Sequence, residues 1–438
     1  MKMMKYKLNQ LGDFKNGANY PKDSYGKGDK IVNVKDLFRG RFVDETSLDE
    51  LKPGVLRDKS IYQTEDGDIL FTRSSLVRSG AGMCAMIHNP SQCILFCGFI
   101  IRYRLFDKTS VYPLYLLYLL RSPQYRNLFT GNQQTNITNI NQDSLGDIDV
   151  YLPVEENGDI DYTEQVKLVS VLNALDDKIA LNKKMNQKLE AMAKRLYDYW
   201  FVQYDFPDKN GHPYKTTGGP MTYNPTLKRE IPEGWEVKRL GDLFKTNRGV
   251  SYSTPTLGAE GDGVPMINLA SFSPNESYNE KGIKYYKGEY TDEKVLKPFD
   301  FVMCNTQQTA IDPQKDIIGR SMLVPDIFDG DIVSSHHVNT IKLEKENLKF
   351  YLNRLFNTKF YHAYISKFAN GTNILGLIFS GVEDYMCEIP SDGLLEKFAK
   401  ISLDIEKKKS KIIKENQKLT ALRDKLLPLL MNGQIEVG

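Results

Sequence analysis

No apolar run in this sequence is long enough to span a bilayer. The longest, Cys93 to Ile101 and Tyr112 to Leu120, stop well short of the roughly 20 residues a membrane helix needs. The start, Met1-Lys2-Met3-Met4-Lys5, has no signal-peptide core, so a soluble, cytoplasmic protein is expected. Cysteine is scarce. Cys84, Cys93, Cys97, Cys304 and Cys387 form no CxxC pair, and their odd number suits buried free thiols better than zinc or disulfides. Of the five histidines only His336 and His337 are adjacent. They fall in a strand-like run, where neighbours face opposite ways, so one is expected at the core edge and one in solvent, with no shared metal. There is no GxxxxGK[ST] loop, no GxGxxG cradle and no HExxH. The Asn/Asp-Pro-Pro-aromatic tetrapeptide of DNA amino-methyltransferases is missing too. No catalytic residue, metal or bound cofactor is therefore expected in this chain.

Charge of one sign is also lacking. The 58 basic and 56 acidic residues leave a formal charge of +2, which neither supports nor excludes a nucleic acid as partner. Positive charge would have to be concentrated locally, or a second protein would have to supply phosphate contacts.

What the sequence does have is a second copy of itself. Leu11-Gly12-Asp13 returns as Leu240-Gly241-Asp242, an offset of 229. Thr135-Asn136-Ile137 returns as Thr372-Asn373-Ile374 at 237, and Asn186-Gln187-Lys188-Leu189 as Asn416-Gln417-Lys418-Leu419 at 230. A tandem unit of this kind presents two similar surfaces.

Each copy begins with short strands and loops. Candidate strands are Asp68 to Thr72 and Ile94 to Arg104, matched by Asp300 to Cys304 and Ile332 to Leu343. An amphipathic helix follows, with Tyr115, Leu116, Leu119 and Leu120 matching Tyr351, Leu352, Leu355 and Phe356. Each copy ends in a long helix, Glu164 to Phe201 and Leu394 to Leu427, uninterrupted by proline. Apolar residues recur there at steps of three and four, the seam of a coiled coil, with Asn182, Lys408 and Glu415 as polar seam positions. About 35 residues at 1.5 Å each give roughly 50 Å. Asp176-Asp177 reads as solvent-facing. A Gly, Pro, Asn and Asp-rich connector lies at 205–234.

Amide, hydroxyl and guanidinium side chains cluster at matched places in both copies. One cluster holds Lys15 and Asn19 against Lys245, Asn247 and Arg248. A second holds Arg73, Ser74 and Arg78 against Asn305, Thr306, Gln307 and Gln308. A third holds Gln133, Gln134, Thr135, Asn136, Thr138 and Asn139 against Thr372 and Asn373. These are the side-chain types that read base edges: Asn and Gln pair with adenine, Arg and Lys with guanine, Ser and Thr with either. The clusters differ residue for residue, so two half-sites of different sequence are expected.

Several segments resemble the specificity subunits of type I restriction–modification systems. They are Leu175-Asp176-Asp177-Lys178-Ile179, Leu196 to Phe201 running into Gln203 to Pro207, Gly218 to Met221, Arg229 to Trp235, and Leu426 to Gln434. The resemblance implies an α/β (α+β) fold: two similar mixed target-recognition domains alternating with two long antiparallel coiled-coil helices in a pseudo-twofold body. On it, residues 1–160 form the first recognition domain, 161–204 the first long helix and 205–234 the connector. Residues 235–392 form the second domain, and 393–438 the second helix and tail. The resemblance further implies double-stranded DNA, two modification subunits and two restriction subunits as partners. S-adenosylmethionine, ATP and Mg would sit on those subunits. Leu189, Met192, Leu196, Leu419, Leu422 and Leu426 would dock the modification subunits. A self-contained enzyme and a DNA-free scaffold remain the alternatives.

Overall fold

The computed structural model describes residues 2–75, 80–130, 138–273, 278–308, 316–435 and 437. It is mixed α/β and divides into two compact units, one of residues 1–179 with 418–438 and one of residues 180–417.

In the first unit, strands are β1 (Lys2–Lys7), β2 (Gly12–Asn16), β3 (Tyr25–Val32), β4 (Asp49–Leu51), β5 (Ile69–Thr72), β6 (Ser74–Ser75), β7 (Cys84–Met86), β8 (Ile94–Phe96), β9 (Ile100–Leu105), β10 (Thr138–Asn139) and β11 (Asp149–Val154). They make a four-stranded sheet β2-β9-β5-β7, a three-stranded sheet β4-β3-β8, and the pairs β1-β11 and β6-β10. Helix Pro113–Arg121 buries every side chain from Leu114 to Leu120, because its residues are apolar on all sides. Tyr115, fully buried in that helix, donates its hydroxyl proton to Tyr151 O at 3.2 Å.

The second unit repeats this plan. Its strands are β12 (Met221–Asn224), β13 (Arg229–Pro232), β14 (Glu236–Arg239), β15 (Phe244–Arg248), β16 (Leu257–Gly258), β17 (Val264–Ile267), β18 (Lys284–Tyr286), β19 (Phe301–Cys304), β20 (Thr306–Gln308), β21 (Ser321–Leu323), β22 (Val333–Ser334), β23 (Val338–Leu343), β24 (Ala369–Asn370), β25 (Ile374–Leu377) and β26 (Met386–Ile389). The sheet β15-β23-β19-β21 answers β2-β9-β5-β7, and β14-β26 answers β1-β11. Helix Leu348–Phe356 answers Pro113–Arg121, with Tyr351 donating to Glu388 O at 3.0 Å.

The structural repeat corrects one sequence match. Leu240 corresponds to Leu8, three residues before Leu11. Both are fully buried, and their N–H groups donate to equivalent carbonyls, Ile148 O at 3.1 Å and Tyr385 O at 3.0 Å. Burial of the leucine sets the register, and Gly-Asp merely recurs beside it. The offset of 237 does hold where described, since β6-β10 and β20-β25 pair Ser75 with Thr138 and Gln307 with Leu375.

The strand expected from Ile94 to Arg104 is two strands. β8 runs parallel to β3, and β9 leaves for the other sheet after a turn at Gly98-Phe99. The run from Ile332 breaks in the same way, and His336-His337 occupy its turn. They are therefore not on opposite faces of a strand. Their ring centroids lie 3.8 Å apart.

The long helices are Tyr162–Tyr197, continued by a wider turn at Asp198–Val202, and Asp392–Met431. The first starts where the Asp161 carboxylate accepts the Glu164 N–H at 2.8 Å, an N-terminal cap. The second runs past Pro428, because Leu427, Leu430 and Met431 bury in the first unit's core beside Leu168 and Leu172. Within each unit the helices pair antiparallel: Asp176 meets Arg423 at 2.8 Å in the first, and Glu190 meets Lys409 at 2.6 Å in the second. The helix faces differ from expectation at several positions, among them Met192, Ile401 and Leu422, which are exposed rather than in the seam. Lys408 is exposed and Lys409 buried, a shift of one position. Asp176 is not solvent-facing: its side chain is only 12% exposed and also accepts from the Tyr118 hydroxyl at 2.7 Å.

Candidate nucleic-acid interface

In each unit one backbone frame carries several of the polar side chains singled out in the sequence. In the first unit it consists of the segment after β2, the turn between β8 and β9, and the start of β6. Ala18 N donates to Phe96 O at 3.0 Å, Gly98 N to Ala18 O at 2.6 Å, and Ile100 N to Cys97 O at 2.9 Å. Gly17 N donates to Ile100 O at 3.0 Å, and Arg73 N to Phe99 O at 2.9 Å. The second unit repeats all five bonds. Val250 N donates to Ser334 O at 2.7 Å, His336 N to Val250 O at 2.7 Å, and Val338 N to Ser335 O at 2.9 Å. Gly249 N donates to Val338 O at 3.2 Å, and Asn305 N to His337 O at 2.9 Å. The strands can come this close only because Gly17 and Gly249 lack a Cβ, which would stand 2.1 Å from Cys97 O and Ser334 O respectively.

The frame is shared and the side chains are not. In the first unit Asn19, Arg73 and Ser74 meet Phe99, Ile140 and Asn141 around a recess of about 360 Å³. Arg73 and Asn19 are exposed, as a reading surface requires. Lys15 is exposed on β2 but does not line the recess. In β10, Thr138 and Asn139 pair with Ser75 and Ser74. Arg78, Gln133, Gln134, Thr135 and Asn136 lie outside the described residues.

In the second unit the Thr306 hydroxyl bonds His337 Nδ1 at 2.7 Å, and Arg248 Nε donates to His336 O at 2.8 Å. Tyr252 packs against both imidazoles, with centroids 5.4 and 6.3 Å away, and Lys284 Nζ sits 5.0 Å over the tyrosine ring. Burial, reinforced by neighbouring His336, Arg248 and Lys284, pushes the His337 pKa down to about 4, so this ring is neutral at pH 7.

Three amides singled out for base reading are engaged within the fold. Gln307 is buried, and its Oε1 accepts from Ile317 N at 2.7 Å and Ile318 N at 3.2 Å. Asn305 is buried and donates to Asn339 Oδ1 at 2.7 Å. Asn247 donates to Glu293 O at 3.0 Å and accepts from Lys294 at 2.9 Å. Each satisfies a backbone or side-chain group that the fold would otherwise leave unpaired, so it positions the frame. Lys245, Thr372 and Asn373 are exposed, the last two between β24 and β25. Gln308 pairs with Ile374 through its backbone.

Sequence reasoning missed Phe99, Asn141, Tyr252 and the His336-His337 turn. The signal was present: Gly17 and Gly249 recur in Asn16-Gly17-Ala18-Asn19 and Arg248-Gly249-Val250-Ser251.

Of the apolar helix positions, Met192 and Leu422 are exposed, at 56% and 45%. Leu189 and Leu419 are half-buried, and Leu196 and Leu426 pack against the cores of their own units. Among the described residues no cluster of His, Cys, Asp or Glu could hold a metal, and no helix is long and apolar enough to cross a membrane. A Ser-His-Asp grouping, Ser366, His362 and Asp316, brings both partners to the same imidazole nitrogen, at 3.5 Å each. A relay needs them on opposite nitrogens.

Residues 1–191 match the family model of the type I restriction modification DNA specificity domain. The type I restriction enzyme MjaIX specificity subunit of Methanocaldococcus jannaschii is 25% identical, over 98% of this chain and 93% of its own length. The HindI specificity subunit of Haemophilus influenzae is 24% identical, over 92% and 94% respectively. The crystal structure of the type I restriction–modification system S subunit from M. genitalium shares the fold, with a TM-score of 0.54 at 15% identity over 98% of this chain and 96% of that one. Residues 1–191 thus belong to the type I restriction modification DNA specificity domain family, and the whole chain is a relative of the type I specificity subunits.

Proposed function

We propose that this chain is the DNA sequence-specificity subunit of a type I restriction–modification complex, working in the cytoplasm. Residues 1–160 and 235–392 each read one half of a bipartite, asymmetric site from the major groove. The long helices, within 161–204 and 393–438, act as spacer and dock two methyltransferase subunits; 205–234 connects the halves. Two restriction subunits complete the nuclease. The chain has no catalysis of its own, and S-adenosylmethionine, ATP and Mg belong to its partners. Among the reading residues are Asn19, Arg73, Ser74, Arg248 and Thr306, with Arg78 and the 133–139 run. Met192 and Leu422 are the apolar contacts best placed for docking.

The observation that carries this reading is the frame built twice from the same five backbone bonds with different side chains outward. A catalytic duplication would keep its reactive groups; a pair of readers keeps its scaffold and varies its contacts. The test is methylation of a randomised DNA library by the chain with its modification partners. One two-part asymmetric motif is expected, and no methyl transfer by the chain alone. Turnover without partners would make it an enzyme, and methylation with no motif would make it a scaffold. Inserting four residues before Met185 should change the preferred spacing; an unchanged spacing removes the spacer role.

A further inference from the structure

Phe99 presents an apolar ring to solvent. It is 63% exposed at a turn tip, among the polar groups of Asn19, Arg73, Ser74 and Asn141. An apolar ring left in water forgoes the stabilisation that burial would give. It is not a loosely held loop side chain either, since the carbonyl of Phe99 and the N–H groups of Gly98 and Ile100 are all tied by backbone bonds. The matching place in the second unit carries His336 and His337 on the same bonds, packed beside Tyr252. Two rigid tips thus occupy one position of a repeated frame and offer opposite chemistries: a bare hydrocarbon ring, and a pair of nitrogen rings.

We propose that these two turns are base-reading elements, with Phe99 meeting the C5-methyl group of a thymine in one half-site and His336-His337 meeting a guanine edge at the matching place of the other. This rests on the reading function proposed above and names contacts within it. An aromatic ring satisfies the thymine methyl in the major groove, where no other base offers a hydrocarbon. Guanine presents two acceptors, N7 and O6, and needs donors. The 2.7 Å contact between the Thr306 hydroxyl and His337 Nδ1 fits either tautomer; in the one where the hydroxyl donates, the ring proton lies on Nε2 and that nitrogen is the donor guanine requires.

The experiment uses the full chain with its modification partners and reads methylated motifs from a randomised duplex library. Three proteins are compared with the wild type: Phe99→Ala, the double variant His336→Ala with His337→Ala, and an exchange that places His-His at 98–99 and Gly-Phe at 336–337. Phe99→Ala should lower discrimination at one T·A pair of one half-site by roughly tenfold, the cost of one mismatched position, and leave the other half-site intact. The histidine variant should relax one G·C pair in the opposite half. The exchange should alter preference at both places. Wild-type motifs from all three would overturn the inference while leaving the proposed function standing. A wild-type complex that methylates without any motif would overturn the proposed function itself. Phe99→Ala removes only exposed contacts, so its melting temperature should not move; loss of both half-sites at an unchanged melting temperature would also count against the turn as a local reader.

Discussion

Where the short helix of each unit, Pro113–Arg121 or Leu348–Phe356, meets the long helices, the two units solve the same problem with different charges. In the first unit Tyr118 donates to Asp176, which also takes Arg423. Arg41 lies beside it and pairs with Asp177. In the second unit the place of Tyr118 is held by Arg354, and that of Asp176 by Glu406, joined at 2.9 Å. Glu190 and Lys409 complete a network of two carboxylates and two cations. Arg354 and Lys409 are each only 9% exposed, whereas Arg423 is 28% exposed and Asp177 61%. The second junction is the drier. Its ions are correspondingly harder to leave unpaired. Duplication fixed where polar groups enter this interface and left their identity free to diverge, as long as charge balanced locally.

The comparison can be broken most forcefully at Glu190. Burial pushes its pKa up, yet Arg354 and Lys409 outweigh that and hold it at about 2. Replacing Glu190 with Ala leaves two buried cations facing one carboxylate, and should cost about 3–5 kcal/mol in urea unfolding. A cost below 1 kcal/mol (roughly the value of a surface pair) would mean that the second junction is as wet as the first. Next in size are Gly17→Ala and Gly249→Ala. Each forces a methyl carbon against a carbonyl oxygen and should cost about 1–3 kcal/mol, with equal losses in the two units if the frames are equivalent. Unequal losses would show that one turn can yield. Tyr118→Phe comes third, at about 1–2 kcal/mol, since Asp176 loses one hydroxyl donor and keeps Arg423.

A separate effect concerns acid. His337 is held neutral with its pKa at about 4, below the ordinary 6.5. In that window the unfolded chain binds more protons than the folded one, so folding stability rises with pH from about 4 to about 6.5. The stabilisation is complete above 6.5 and is lost as pH falls through 4. Hydrogen exchange at pH 5 against pH 7 should show the His336-His337 turn losing protection, while the Gly98-Phe99 turn, which has no titrating group at its tip, changes little. Equal loss in both turns would sever the effect from the imidazole.

How much of this was legible in the sequence varied with the kind of signal. The long helices were, because apolar steps of three and four over some 35 residues have no competing reading. The helix offset of 230 and the strand offset of 237 held. The first offset failed because Gly-Asp is a common turn pair, while the buried Leu8 and Leu240 that set the register carry no distinctive neighbour. His336-His337 escaped because an apolar run that crosses from one sheet to another looks like a single strand. In the first copy Gly98 marked the break, and in the second no glycine does. Among the reading residues, chemistry alone could not separate Arg73, which faces out, from Gln307, whose amide oxygen caps two backbone N–H groups. Amides suit both tasks, and only the fold tells them apart.

One feature of the chain's path bears on its birth. The last 21 residues supply Leu427, Leu430 and Met431 to the core that holds Leu168 and Leu172. Synthesis must therefore run past residue 431 before the unit built on residues 1–179 can close. Until then Leu168 and Leu172 lack those partners, and a stop codon shortly before residue 427 would damage that unit ahead of the unit of residues 180–417.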